Sequence, residues 1–236
     1  MRLLLFSDVH ANGEALLSLQ RAERRPDALL FAGDAVGYGP EPVQCARWLL
    51  ANVTAAVRGN HDQAVSSGAP AKAPPELEEA AAETLAYARR LMAPGDLAGL
   101  QSWPLTASLT LGGARFYIAH GTPADPLAGN LDIATAREAD LHALFDPLDV
   151  DIILLGHTHQ PALRRLDNKL IINPGSLGQP RNGLHDATYA VWDDGRVQIH
   201  HLHYNHDATA QRLALVQLSP EVSELLIGIL ETGLIE

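Results

Sequence analysis

One cysteine, Cys45, stands alone among 236 residues, so no intrachain disulfide can form, which fits a reducing compartment. It lies in a helical pattern ending Trp48-Leu49-Leu50 and reads as a core residue rather than a nucleophile. Long apolar runs are missing as well. None approaches the ~18 residues needed to span a bilayer, so no membrane segment is expected. The first apolar run is cut short by Asp8, too early for a signal-peptide core, and the expected location is cytoplasmic. Cationic arrays are scarce too: 17 Lys and Arg face 28 Asp and Glu, for a formal charge of −11. Beyond Arg21, Arg24, Arg25 and the pair Arg164-Arg165 nothing offers the array that grips phosphates of long nucleic acid. Arg21 to Arg25 close a predicted helix, where cations suit the dipole. The partner expected is therefore a small anionic molecule, with oligomeric state left open.

What the chain does have is a soluble, well-cored composition, 47% apolar and 19% charged, sufficient for one domain over residues 1–236. Five short apolar runs each lead into side chains able to hold a metal. Leu3 to Phe6 runs into Asp8 and His10, and Ala28 to Phe31 into Gly33-Asp34. Ala55 to Val57 runs into Gly59-Asn60-His61-Asp62, Phe116 to Ile118 into His120, and Ile152 to Leu155 into Gly156-His157-Thr158-His159. Such runs read as buried strands, and ligands of open α/β sheets sit beyond the carboxyl ends of their strands. The pattern predicts one rim carrying seven metal-ligating side chains, the mark of a two-metal hydrolase.

Between the runs, helices are predicted over 13–25 with Asn12 as N-cap, over 40–52, over 77–92 and over 131–145. The first three strands and their helices alternate β-α-β-α-β, which implies parallel pairing with right-handed crossovers. Residues 63–75 are loop-like and read either as a flap over the site or as a plain surface connection. A hairpin is expected through Gly112-Gly113, and further short strands at 162–167, 169–173, 187–193 and 196–203. Ser219-Pro220 opens a last helix within a C-terminal helical extension over 205–236. His200, His201, His203 and His206 read as polar residues in and just beyond an edge strand, not as a second metal site, and His142 and His185 carry no motif.

The ordered motifs D-x-H, G-D, G-N-H-D, a lone His and G-H-x-H resemble the calcineurin-like metallophosphoesterase superfamily. The stretch Asn173-Pro174-Gly175-Ser176-Leu177-Gly178-Gln179-Pro180-Arg181 extends the similarity to its smaller bacterial and archaeal phosphodiesterase branch. The resemblance implies a four-layer αββα sandwich, two mixed sheets flanked by helices. It also implies that Asp8, His10, Asp34 and His159 hold one divalent ion and that Asp34, Asn60, His120 and His157 hold the other. Only two of these seven residues are anionic, so a pair of divalent ions leaves a positive centre suited to a phosphoryl group. Mixed imidazole and oxygen donors suit Mn, with Fe, Zn, Co or Ni as alternatives. The activity implied is hydrolysis of a small phosphodiester or dinucleoside polyphosphate by attack of a metal-bound hydroxide. His61 matches the family's non-ligand histidine, which protonates the leaving oxygen, and Asp62 is placed to orient it.

The chain departs from the Ser/Thr protein phosphatases of that superfamily at two positions. Tyr38 stands where they carry a phosphate-binding Arg, and Asp62 replaces their Glu. A phosphomonoesterase of that kind is the alternative reading, and a catalytically silent scaffold of the same fold, as in a retromer subunit, is another. Arg58, Arg181 and Tyr38 are the candidate substrate-binding residues.

Overall fold

The computed structural model describes residues 1–235; Glu236, the last residue of the predicted C-terminal extension, lies outside them. Strand β1 (Arg2–Phe6) sends Leu3 and Leu5 to one face and Leu4 and Phe6 to the other, as strand alternation dictates. Helix α1 (Gly13–Ala22) starts where Asn12 accepts from Ala15 N at 3.1 Å. It stops short of the predicted residue 25 because Pro26 biases the residue before it away from helical backbone. After β2 (Ala28–Phe31), α2 (Pro42–Asn52) begins at Pro42, whose missing N–H costs nothing at a first helical position.

Strand β3 (Ala55–Ala56) leads into α3 (Asn60–Ser67), so the start of the predicted 63–75 loop is helical. Gly68 ends α3 with a left-handed φ of 80°, and irregular backbone follows as far as α4 (Glu78–Leu91), broken by one short turn of 3₁₀ helix. Helix α5 (Pro94–Ser102) is absent from the sequence reading, which assigns no element between Met92 and Trp103. Asp96 makes the helix possible by accepting from Ala93 N at 3.0 Å while pairing with Arg47 at 2.8 Å. The hairpin of β4 (Thr106–Leu111) and β5 (Ala114–Ala119) forms where Gly112-Gly113 is expected to turn. Helix α6 (Glu138–Phe145) starts seven residues later than the expected 131. There Asp132 accepts from Ala134 N and Thr135 Oγ1 at 2.9 and 2.8 Å, a local turn that competes with helix.

Strands β6 (Ile152–Leu154), β7 (Ala162–Leu166), β8 (Lys169–Asn173), β9 (Ala187–Asp193) and β10 (Arg196–Leu202) complete the sheets. Helices α7 (His206–Leu213) and α8 (Pro220–Thr232) follow. One sheet runs β10-β9-β1-β2-β3, with β1, β2 and β3 parallel; the other runs β4-β5-β6-β8-β7, with β5, β6 and β8 parallel. Leu3, Leu5, Leu30 and Trp192 of the first sheet meet Phe116, Ile118, Leu154 and Ile172 of the second in the inner layer. The outer face of the first sheet packs Leu4, Phe6 and Phe31 on α1 and α2, and that of the second packs Ile153 and Ile171 on α6. This is the expected four-layer arrangement of two mixed five-stranded sheets flanked by helices. The parallel strands β1, β2, β3, β5 and β6 all release their motifs at one rim. No helix among the described residues is long and apolar enough to cross a membrane.

Candidate metal centre

The chain leaves its strands through backbone that non-glycine residues rarely adopt. Asp8, His10 and Ala11 have φ of 54, 45 and 53°, Asp34 has 62°, and His157 and His159 have 69 and 59°. Each such residue costs on the order of 1 kcal/mol or more, and the surroundings must hold it there. A ladder between the first two loops does so: Asp8 N donates to Gly33 O at 2.9 Å, His10 N to Asp34 O at 3.0 Å, and Ala11 N to Ala35 O at 2.9 Å. From the other side, Gly178 N and Ser176 Oγ donate to Asp8 O at 2.9 and 2.8 Å.

His10 and His159 face each other with their Nε2 atoms 3.0 Å apart. Their Nδ1 atoms lie 3.1 Å from Val36 O and 2.5 Å from Gln179 O, oxygens that can only accept. Each Nδ1 therefore carries the proton, and both Nε2 atoms present lone pairs to the same point. Asp8 Oδ1 lies 3.2 and 3.7 Å from the His159 and His10 Nε2 atoms and is buried without a hydrogen-bond partner. Lone pairs and a bare carboxylate oxygen crowded together in the interior call for a cation. Asp34 Oδ2, 3.8 Å from His10 Nε2, completes this set.

The same Asp34 oxygen is 3.2 Å from Nε2 of His120, whose Nδ1 meets Ala32 O at 2.8 Å. Asn60 Oδ1 lies 2.9 Å from that Nε2 and 3.1 Å from His157 Nδ1. Asn60 Nδ2 donates to Lys72 O at 2.7 Å, which turns the amide oxygen toward the histidines. Two donor sets thus share Asp34, and its other oxygen, Oδ1, accepts from His61 N at 2.9 Å.

The charges suit a cation. Burial pushes the Asp34 and Asp8 carboxyls up, but the facing histidines outweigh it and hold both below the usual carboxylate range. Burial lowers His159 to about 3 and His157 to about 4, leaving neutral rings with free lone pairs. His120 is the exception. Burial lowers it, yet the Asp34 charge outweighs that and raises it to about 9, so this ring takes up a proton when no other cation is near.

Above the donors opens a cavity of about 320 Å³ lined by Asp34, Asn60, His157 and His159 on its floor and by His61, Tyr38, Arg181 and Lys72 around it. Asp8, His10 and His120, all at most 1% exposed, lie beneath. The Arg181 guanidinium sits 5.5 Å from the Tyr38 ring centre and donates to Gln179 Oε1 at 2.6 Å. Tyr38 packs 4.5 Å from the His61 ring.

Residues 1–194 match the family model described as the calcineurin-like phosphoesterase superfamily domain. The chain belongs to that superfamily. Phosphoesterases of this superfamily are metal-dependent, in keeping with the clustered Asp and His side chains at the rim. A crystallised metallophosphoesterase from Sphaerobacter thermophilus is 27% identical to this chain, with a TM-score of 0.83 and 99% of both chains covered. A Pyrococcus horikoshii structure, 20% identical with a TM-score of 0.82, covers 95% of this chain and 97% of its own and shares the fold. An uncharacterized protein of Methanocaldococcus jannaschii is 26% identical over 94% of this chain and 96% of its own.

In this chain the seven residues read as ligands converge, and His61, Tyr38 and Arg181 converge with them. Arg58 does not. Its guanidinium donates to Gln101 O at 2.5 Å, at the end of α5, and it does not line the cavity. The unforeseen helix α5 supplies the partner that draws it away. Asp62 also departs from its expected part, because its oxygens accept backbone N–H groups and do not hold the His61 ring. Lys72, Asn130, Asp132, Leu234 and Ile235 line the cavity without having been singled out in the sequence. They come from irregular segments and the far end of the chain, where no periodicity or motif marks them; only the loop-like character of 63–75 hints at Lys72.

Proposed function

We propose that this phosphoesterase hydrolyses a small phosphodiester or dinucleoside polyphosphate with the help of two divalent ions. The observation that carries the reading is the pair of His10 and His159 lone pairs 3.0 Å apart beside the unpartnered Asp8 oxygen. In this reading Asp8, His10, Asp34 and His159 hold one ion and Asp34, Asn60, His120 and His157 hold the other, with Mn as the native metal. When bound, the ions supply Lewis acidity and lower the pKa of a water near them.

The chain supplies the rest. Arg181, pinned by Gln179 and Tyr38, presents a fixed cation to the non-bridging oxygens of the phosphate. His61 Nδ1 is buried and unpartnered, leaving Nε2 as the nitrogen that meets the leaving oxygen. Burial lowers His61 to about 3, and a phosphate bound beside it opposes that shift and lets the ring carry the proton it delivers. Leu234, Ile235 and Pro74 give the cavity an apolar wall, which suits the organic part of an ester better than free phosphate. The segment around Lys72 and Pro74 serves as a flap over bound substrate.

The test uses metal-stripped protein and three substrates: bis-p-nitrophenyl phosphate, diadenosine tetraphosphate and the monoester p-nitrophenyl phosphate. Mn²⁺-dependent turnover of either of the first two, faster than of the monoester, is the expected outcome. No turnover with Mn, Fe, Zn, Co or Ni would leave only the silent scaffold, and preference for the monoester would favour a phosphomonoesterase.

A further inference from the structure

A second group of histidines gathers at the β10 edge of the first sheet, outside the cavity of the metal centre. The antiparallel register of β9 and β10 pairs Ala187 with Leu202, so the next residues outward, Asp186 and His203, stand side by side. His203 Nδ1 and Asp186 Oδ1 are 2.9 Å apart. His185 Nε2 lies 4.0 Å from the same oxygen, and one donor atom from each of the three lies within 4.8 Å of the other two. The His185 ring is 5.8 Å from that of His203 and 4.8 Å from that of His206, the first residue of α7. His206 Nδ1 is buried and makes no hydrogen bond, although the Asp207 carboxylate is 3.3 Å away. His185 makes no side-chain hydrogen bond among the described residues.

We propose that His185, Asp186 and His203 form a second cation site that takes a zinc-class divalent ion, with solvent as the fourth ligand. Two imidazoles and one carboxylate, with a water in the fourth position, are a donor set that zinc accepts in tetrahedral geometry. Bonds of ~2.0–2.2 Å in that geometry place donors roughly 3.4 Å apart. The observed 2.9 and 4.0 Å bracket that spacing, so small side-chain rotations close the site. A hydrogen-bonded surface His–Asp pair by itself accounts for His203 but leaves the nitrogens of His185 unused. With side chains 45% and 77% exposed, His185 and His203 are reachable from solvent.

The role of the ion is structural. It ties the end of the loop that begins at Arg181 to the end of β10, next to the start of α7. Helix α7 is itself fixed to the first motif loop by Thr209 Oγ1 donating to Asn12 Oδ1 at 3.0 Å. The site therefore clasps the segment on which the proposed phosphate-binding arginine stands.

The test counts zinc per chain by elemental analysis after metal-stripped protein is dialysed against Zn²⁺. Wild type is compared with His185→Ala/His203→Ala, with Asp186→Asn and with Asp34→Asn. The first two are expected to retain one zinc fewer than wild type, while melting at the same temperature as wild type in the absence of zinc. Adding His203→Ala to the Asp34→Asn variant is expected to remove one more. Equal zinc in wild type and both clasp variants overturns the proposal, as does a zinc-dependent dimer, seen by light scattering, that shares the ion between chains. If Asp34→Asn alone changes nothing, the strand-end centre fails while the count at His185 and His203 still stands.

Discussion

Asp62 suspends the turn that carries Asp34. Its Oδ2 accepts from Asp34 N at 2.8 Å and Gly59 N at 3.2 Å, and its Oδ1 accepts from Ala35 N at 2.9 Å. All three donors are buried, so the carboxylate fixes the left-handed Asp34 from beneath while Asp34 turns its own oxygens to His61 N and to the histidines. Asp62→Asn replaces one acceptor by an N–H donor pointing at backbone N–H groups. The expected loss is about 1–3 kcal/mol of stability, read as a lower denaturation midpoint, together with weaker metal retention.

Gly59 lies against the Asp34 carboxylate. A Cβ there meets Asp34 N at 2.6 Å and Asp34 Cγ at 2.7 Å, with no backbone strain of its own to add. Gly59→Ala is expected to displace Asp34 and weaken metal binding about 10- to 100-fold, the range seen when the supports of metal ligands are disturbed. Metal titration checks this, and an unchanged affinity would refute the bridging place given to Asp34.

His61→Ala removes the proposed proton donor but none of the donors beneath it. Turnover of the phosphodiester is expected to fall by ~10²–10⁴-fold with bound metal unchanged. The informative control is an ester with an activated leaving group, whose departure needs no proton and whose rate should fall less.

Arg181→Ala takes away a cation already held in place by Gln179 and Tyr38. Hydrogen bonds to charged groups contribute ~1.5–3 kcal/mol, so KM is expected to rise roughly 10- to 100-fold with a smaller change in kcat. A KM that does not move would show that this guanidinium only packs on the tyrosine.

Cys45 is fully buried, and burial pushes its thiol well above the ordinary range. It is expected to resist a disulfide reagent in the native protein and to react fully in denaturant. Rapid native reaction would mean that α2 opens.

What sequence alone determined here is local. Short apolar runs closed by Gly, Asp or His mark strands and their carboxyl ends without reference to the rest of the chain, which is why the motif residues from Asp8 to His159 were legible as one rim. Turn chemistry at Gly112-Gly113 and the proline at the start of α8 was legible for the same reason. Other features depended on partners far along the chain. Arg47 had to meet Asp96 for α5 to be secured, and α5 in turn drew Arg58 away from the cavity. Asp62 could be assigned to the Asp34 turn only once α3 and the β2 loop were seen against each other. His185 carries no motif and His203 sits at the end of an edge strand, yet strand register sets them beside Asp186. Sequence spacing reports what one strand or turn does, but side-chain geometry between remote segments exists only after both sheets have packed.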